Sequence, residues 1–188
     1  MTKRNPAYDR RERDNYPTPW PAALPLLPHL KSSTRFIEPC AGEGWLVGHL
    51  KRAGHICVDA FDLPAHDART ACYDVKGVDA FITNPPWQTR PDNLLHPIVV
   101  NLSDQAPTWL LVYSDWLFTT QATPLLRRLR AVVVIGRQKW IIGSKSAGYD
   151  NCCWCLFDRP RGVDGRAALE LIGRIGFARS ILATRRAA

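Results

Sequence analysis

The stretch Asn84-Pro85-Pro86-Trp87 follows an apolar run, Ala80-Phe81-Ile82-Thr83, that reads as the end of a buried strand. Neither proline can donate to a sheet ladder, so the strand must stop there. Asn84 precedes a proline and is pushed toward extended backbone. The resulting stiff bend fixes the amide of Asn84, the carbonyl of Pro85 and the indole of Trp87 at the carboxyl end of a strand. In open α/β sheets that is the edge where ligands bind. The alternative is a turn that only ends a strand, with Trp87 filling a gap.

A second constellation lies upstream. Phe36-Ile37-Glu38-Pro39 leads through Cys40 and Ala41 into Gly42-Glu43-Gly44, which opens a helix. Glycines let the backbone approach a ligand closely. The pattern departs from a full dinucleotide fingerprint, since Ala41 precedes Gly42, and Leu46 and Val47 follow. Glu38 at the strand end would repel a pyrophosphate and suit a sulfonium or ammonium group instead. Asp62 ends the next apolar run, where an acid can accept both ribose hydroxyls of an adenosine. Asp67, in the loop beyond it, is either an acceptor for an adenine amino group or a turn residue.

Positioning these groups requires strands that alternate with helices, and the sequence supplies them as far as residue 135. Prolines in the segment 16–31 mark a turn and a short, interrupted helix. A strand, a glycine turn and a helix ending at Gly54 come next, followed by a second strand at 55–63. The segment 66–77 is ambiguous and has room for a short edge strand. Beyond Trp87, residues 91–102 read as a helix broken by Pro97, 107–118 as a strand and loop, 121–130 as a short helix and 131–137 as a β-branched strand. No helix signal separates that strand from the last one at 150–160, so the two are expected to form an antiparallel hairpin with a long loop. Apolar residues at helical spacing in 165–183 predict a final helix. The whole reads as a mostly parallel sheet with helices on both faces.

The chain has 188 residues and a net charge of +8, enough for one domain with a real core and a surface suited to polyanions. We expect a basic, loosely attached segment over 1–15 and a single domain over 16–188. No apolar run reaches membrane-spanning length, and the charged start does not read as a secretory signal. Six cysteines, several inside apolar runs, suit reduced thiols in a cytoplasmic protein. The cluster Cys152-Cys153-Trp154-Cys155 invites a zinc reading. Strand alternation, however, would put Cys153 and Cys155 on one face and Cys152 on the other, and no second CxxC or nearby His completes a site.

Taken together, Glu38-Pro39-Cys40-Ala41-Gly42-Glu43-Gly44, then Asp62, then Asn84-Pro85-Pro86-Trp87 resemble the S-adenosylmethionine-dependent methyltransferases that modify amino groups. Tyr16-Pro17-Thr18-Pro19 resembles the N-terminal cofactor segment of the adenine enzymes, and the likeness extends over residues 16–158. In length and style the chain is most similar to small phage-type DNA adenine methyltransferases.

The resemblance implies a Rossmann-like class I fold with a seven-stranded sheet and a C-terminal antiparallel hairpin. It implies S-adenosylmethionine as cofactor, with Glu38 facing the methionine end and Pro39, Ala41, Gly42 and Gly44 lining its path. Asp62 and Asp67 would serve the adenosine, with Tyr16, Thr18 and Pro19 closing over it. At the catalytic end, Asn84 and the Pro85 carbonyl would accept the two hydrogens of an exocyclic amino group, held rigid by Pro86, with Trp87 stacked on the base. A base in a duplex would have to be flipped out.

The expected activity is methyl transfer to adenine N6 in DNA. The alternatives are the same reaction on RNA, cytosine N4 in DNA, a protein glutamine amide, and a non-catalytic binding module. Arg137, Lys139, Trp140, Lys145 and Tyr149 in the hairpin loop interleave cations with aromatics, as a nucleic-acid contact would, although a plain solvated loop has the same look. One departure stands out: no long insertion is present for a separate target-recognition domain. The expected partner is nucleic acid, DNA ahead of RNA, with no metal and no membrane.

Overall fold

The computed structural model describes residues 16–87, 93–141, 143, 147–160 and 170–172. The expected basic arm 1–15, Lys145 and most of the expected final helix lie outside the described residues. Among the described residues, seven strands form one sheet in the order β2-β1-β3-β4-β6-β5-β7: β1 Arg35–Glu38, β2 Ile56–Ala60, β3 Ala80–Thr83, β4 Thr108–Tyr113, β5 Leu129–Arg137, β6 Asn151–Phe157 and β7 Glu170–Ile172. Strands β2, β1, β3 and β4 are mutually parallel, and β6 runs antiparallel between β4 and β5. This is the mostly parallel sheet with an antiparallel hairpin that the sequence predicts.

Both faces of the sheet are covered, which is why β3 and β4 read as near-continuous apolar runs. On one face, α1 (Trp20–Ala23), a 3₁₀ helix (Leu24–His29) and α2 (Trp45–Arg52) bury Phe36, Ile82 and Leu111. On the other, α3 (Leu95–Gln105) and the 3₁₀ turns Ser114–Phe118 and Thr123–Arg128 bury Ile37, Phe81 and Leu110. The cysteines obey strand alternation: Cys153 and Cys155 sit in the second cluster with sulfurs 3.6 Å apart, and Cys152 sits in the first. Trp154 ties the N-terminal region to the sheet by donating its indole N–H to the Ala22 carbonyl at 2.7 Å.

Four expectations need correction. Residues 61–79 contain no strand, so among the described residues β2 is the outermost strand on its side. The aspartates there engage following amides instead, Asp67 with Arg69 and Asp74 with Lys76, and such local bonds compete with ladder formation. Within 165–183, the described residues form not a helix but strand β7, which pairs parallel with β5 and satisfies backbone groups on its outer edge. Pro97 does not break α3. It is the third residue, in the first turn, where no intrahelical donor is required, and Asn93 Oδ1 accepts the His96 amide alongside. The proline-containing segment 123–128 closes as a 3₁₀ helix, a tighter form suited to short pieces.

Among the described residues, no helix is long and apolar enough to cross a membrane.

Candidate active site

The carboxyl ends of β1, β2 and β3 open into a cleft of about 470 Å³, a size typical of small-molecule sites. Its floor begins at Glu38, the last residue of β1. The turn that follows places Gly42 at φ 50° and Gly44 at φ 76°, left-handed backbone that favours glycine, and Gly44 begins α2. The loop is held open from across the cleft, where Asp62 Oδ2 accepts the Gly42 amide at 3.1 Å. The Ala41 amide donates to the Phe61 carbonyl at 2.8 Å, which fixes the two strand ends together.

Glu38 is the electrostatic centre of this cleft. It is 1% exposed, and among the described residues neither carboxylate oxygen, nor the buried Thr83 Oγ1 close by, has a partner at hydrogen-bond geometry. Burial pushes its pKa up to about 8; the nearby Thr83 hydroxyl and Cys40 backbone oppose the shift, and the Asp62 charge adds to it. Buried polar groups are nearly always satisfied, so a carboxyl group left this way at the wall of a cleft fits a cationic or hydrogen-bonding ligand. Burial also pushes the adjacent Cys40 thiol far up, which keeps it protonated and unreactive.

The roof comes from the segment before α1. Thr18 is buried, and its carbonyl lies 3.2 Å from His49 Nε2 on α2. Arg52 Nη1 lies 3.3 Å from His49 Nδ1 and can only donate, so the imidazole is neutral with its proton on Nε2. Burial, the largest influence, lowers the His49 pKa and favours that neutral form. Tyr16, Pro17 and Thr18 thereby line the cleft from above.

Asn84 and Pro86 line the end of the cleft beyond β3. The Asn84 carboxamide makes no hydrogen bond among the described residues. Opposite it, Leu94 and Ile98 from the start of α3 supply an apolar wall. Trp87 does not line the cleft. Its indole N–H donates to the Leu111 carbonyl at 2.8 Å, and its ring meets Tyr113 at 5.8 Å and Trp140 edge-on at 5.3 Å.

Of the residues singled out in the sequence, the cleft therefore gathers Tyr16, Thr18, Glu38, Pro39, Ala41, Gly42, Asp62, Asp67, Asn84 and Pro86. Pro19, Gly44, Pro85 and Trp87, their chain neighbours, are not themselves lining residues. Asp67 reaches the cleft, but its carboxylate is gripped by Arg69, with Arg69 Nη2 2.6 Å from Oδ2 and Nε 2.9 Å from Oδ1. This ion pair, the largest influence, holds Asp67 below the usual carboxylate range. Trp140 is half-buried against Trp87, whereas Arg137, Lys139 and Tyr149 are exposed. The hairpin loop is closed by the Gly148 amide on the Gln138 carbonyl at 2.7 Å.

Arg69, Leu63, His66, Leu94 and Ile98 line the cleft without having been singled out. Only the apolar spacing of Leu94 and Ile98 carried a signal, as one face of a helix. Arg69 and His66 depend on turns that local sequence does not announce.

Two solved structures share this architecture. One is a provisionally assigned RNA methyltransferase from Pyrococcus horikoshii, with TM-score 0.56 and 14% identity over 76% of this chain and 86% of that one. The other is a methyltransferase subunit of a type I restriction-modification system from Streptococcus thermophilus, with TM-score 0.56 and 11% identity over 92% of this chain and 53% of that one. The chain thus spans about half the length of the latter. No protein-family model matches the chain, and no curated protein matches it. At these identities the likeness establishes the fold alone, a Rossmann-like α/β sheet shared with these methyltransferase structures.

Proposed function

We propose that this protein transfers a methyl group from S-adenosylmethionine to the exocyclic N6 amino group of adenine in DNA. The observation that carries the reading is one cleft, lined at one end by the unpartnered Glu38 carboxyl and the glycine turn and at the other by Asn84 and Pro86. S-adenosylmethionine, when bound, supplies a sulfonium-activated methyl group. Glu38 would hold a cationic portion of it, Asp62 the ribose, and the segment 16–18 would cover it.

What remains is the work of the chain itself. An exocyclic amino nitrogen is a weak nucleophile because its lone pair is delocalised into the ring. Asn84 Oδ1 and the Pro85 carbonyl accept its two hydrogens, which localises the lone pair and orients it. Prolines at 85 and 86 fix those acceptors before the substrate arrives, so no reorganisation is spent at the moment of reaction. No covalent enzyme intermediate is required.

The indole of Trp87, pinned to the Leu111 carbonyl, braces the segment that carries Asn84 rather than lining the cleft itself. The net charge of +8 and the exposed Arg137 and Lys139 favour a polyanionic substrate. The same chemistry on RNA is the second reading, favoured by the high mutual coverage with the Pyrococcus structure described as an RNA methyltransferase.

The test is transfer from labelled S-adenosylmethionine to unmethylated duplex DNA, single-stranded DNA and total RNA, with nucleoside mass spectrometry. N6-methyladenine in DNA is expected. Label in RNA alone would change the substrate. Cofactor binding with no release of S-adenosylhomocysteine on any polymer would replace the enzyme with a protein-directed transferase or a binding module.

A further inference from the structure

Phe118 is 87% exposed, while the other exposed large apolar side chains of the described residues reach at most 49%. A phenylalanine left in water forgoes the stabilisation that burying its ring would bring. Its seat is nonetheless firm. It ends the 3₁₀ turn Ser114–Phe118, whose Trp116 is 1% exposed and donates its indole N–H to His96 Nε2 at 3.0 Å. On one side of it, Ser114 Oγ donates to the Asn151 carbonyl at 3.2 Å. On the other, Thr119 donates to the Trp116 carbonyl from its amide at 3.0 Å and its hydroxyl at 2.8 Å. The ring is held out on a fastened turn.

The position of that turn is equally telling. It follows β4 as Asn84 follows β3, and the two strands are adjacent and parallel, so both lie at one sheet edge. Tyr113, which ends β4 and leads directly into the turn, touches the Trp87 ring. Cations for a phosphate backbone, Arg137 and Lys139, follow β5 at the same edge.

We propose that Phe118 is the wedge that enters a DNA duplex beside the adenine presented to Asn84, replacing the stacking that this base loses when it leaves the helix. The proposal rests on the nucleic-acid reading given above. Extruding a base costs unstacking energy, and an apolar side chain inserted at the step offsets it.

The test compares Phe118→Ala and Phe118→Trp with the wild-type protein in methyl transfer to one sequence offered as duplex DNA and as the single strand. Phe118→Ala is expected to lower kcat/KM on the duplex at least tenfold and on the single strand less than twofold, and Phe118→Trp to restore at least half of the duplex activity. The ratio of the two substrates is a readout that mere folding damage would not move. Equal losses on both substrates, or an unchanged duplex rate, would overturn the wedge. So would a wild-type enzyme active only on single strands, which leaves the methyl-transfer reading intact. A wild-type enzyme inactive on every nucleic acid sinks the parent reading and the wedge with it. Self-association that depends on Phe118, without a duplex-specific loss, would assign the ring to a contact between copies.

Discussion

Two ionisable side chains are buried at opposite edges of the same sheet, and they are treated in opposite ways. Arg128, at the amino end of β5, is 7% exposed and donates to Ser103 Oγ at 3.0 Å and Asp104 Oδ1 at 2.6 Å. Arg159 and Arg130 extend the same cluster through backbone carbonyls. Glu38, at the carboxyl end of β1, is as deeply buried and has no hydrogen-bond partner among the described residues. A satisfied buried charge holds elements together, here α3 against the start of β5. An unsatisfied one is a standing cost, tolerated where a ligand relieves it. The amino edge is built to stay as it is, and the carboxyl edge is built to receive something.

The sharpest way to break this contrast is at the catalytic end. Asn84→Ala removes an acceptor from a half-buried position that no described residue uses, so the fold should tolerate it. Methyl transfer should fall by about 10²–10³-fold, the scale of losing one preorganised hydrogen-bonding group. Cofactor affinity, measured by calorimetry, should stay within about threefold. Unchanged turnover would remove Asn84 from the mechanism.

Arg128 and Glu38 should then respond in reverse senses. Arg128→Ala leaves the buried Ser103 hydroxyl without its guanidinium donor and Asp104 without its ion pair. It should lower urea stability by about 2–3 kcal/mol and leave cofactor affinity unchanged. Glu38 titrates near 4.5 in the unfolded chain and near 8 in the fold. The folded state therefore holds an extra proton between these values. The contribution of this group to stability is complete below 4.5 and is lost as pH rises through about 8.

Glu38→Gln, which cannot ionise, should be the more stable protein at pH 9 by about 2–4 kcal/mol and nearly equal to wild type at pH 4. Its affinity for S-adenosylmethionine should nevertheless drop. Wild-type affinity should strengthen as pH rises from 6.5 toward 8, because a cationic ligand selects the ionised carboxylate, and the slope should flatten in Glu38→Gln. A variant that gains no stability at high pH would show that Glu38 finds a partner in solution.

Asp62 tests the same edge at smaller scale. It already accepts the Gly42 amide, so Asp62→Ala should both loosen the glycine turn and remove a ribose acceptor, weakening cofactor binding by about 1–3 kcal/mol. Wild-type affinity in this variant would shift the ribose role to Asp67. That acid is the poorer candidate because Arg69 already occupies both its oxygens.

The contrast between the two edges was only half legible in the sequence. Glu38, the glycine turn, Asp62 and Asn84 are local patterns: an apolar run stops and a restricted or permissive backbone follows. Such signals survive in one dimension. The Arg128 cluster is not local, since Ser103, Asp104 and Arg159 reach it from 24 to 31 positions away only after the sheet has formed. The missing edge strand had a similar cause, because the aspartates of 61–79 can serve a turn as well as a ladder. Strand β7 was hidden for another reason. Residues spaced like a helix became a strand where β5 offered an open edge, and no local propensity records that offer.

Trp140 marks the boundary between the two kinds of signal. Its setting in a loop rich in cations made it look like a surface for stacked bases. In the fold its ring meets Trp87 edge-on at 5.3 Å, and Gly148, whose added Cβ would fall 3.0 Å from the Trp140 ring, closes the loop around it. We therefore expect Trp140 to act as a positioning residue that holds Trp87 against β4, and a direct substrate contact is the other outcome. Trp140→Ala should cost about 1 kcal/mol of stability, the scale of one aromatic pair, and lower kcat more than it raises KM, because substrate contacts remain while the wall behind Asn84 loosens. Trp140→Phe should recover most of both. If Trp140→Ala instead raised KM tenfold with kcat intact, the ring would be a direct substrate contact, and the hairpin loop would belong to the receiving edge in its own right.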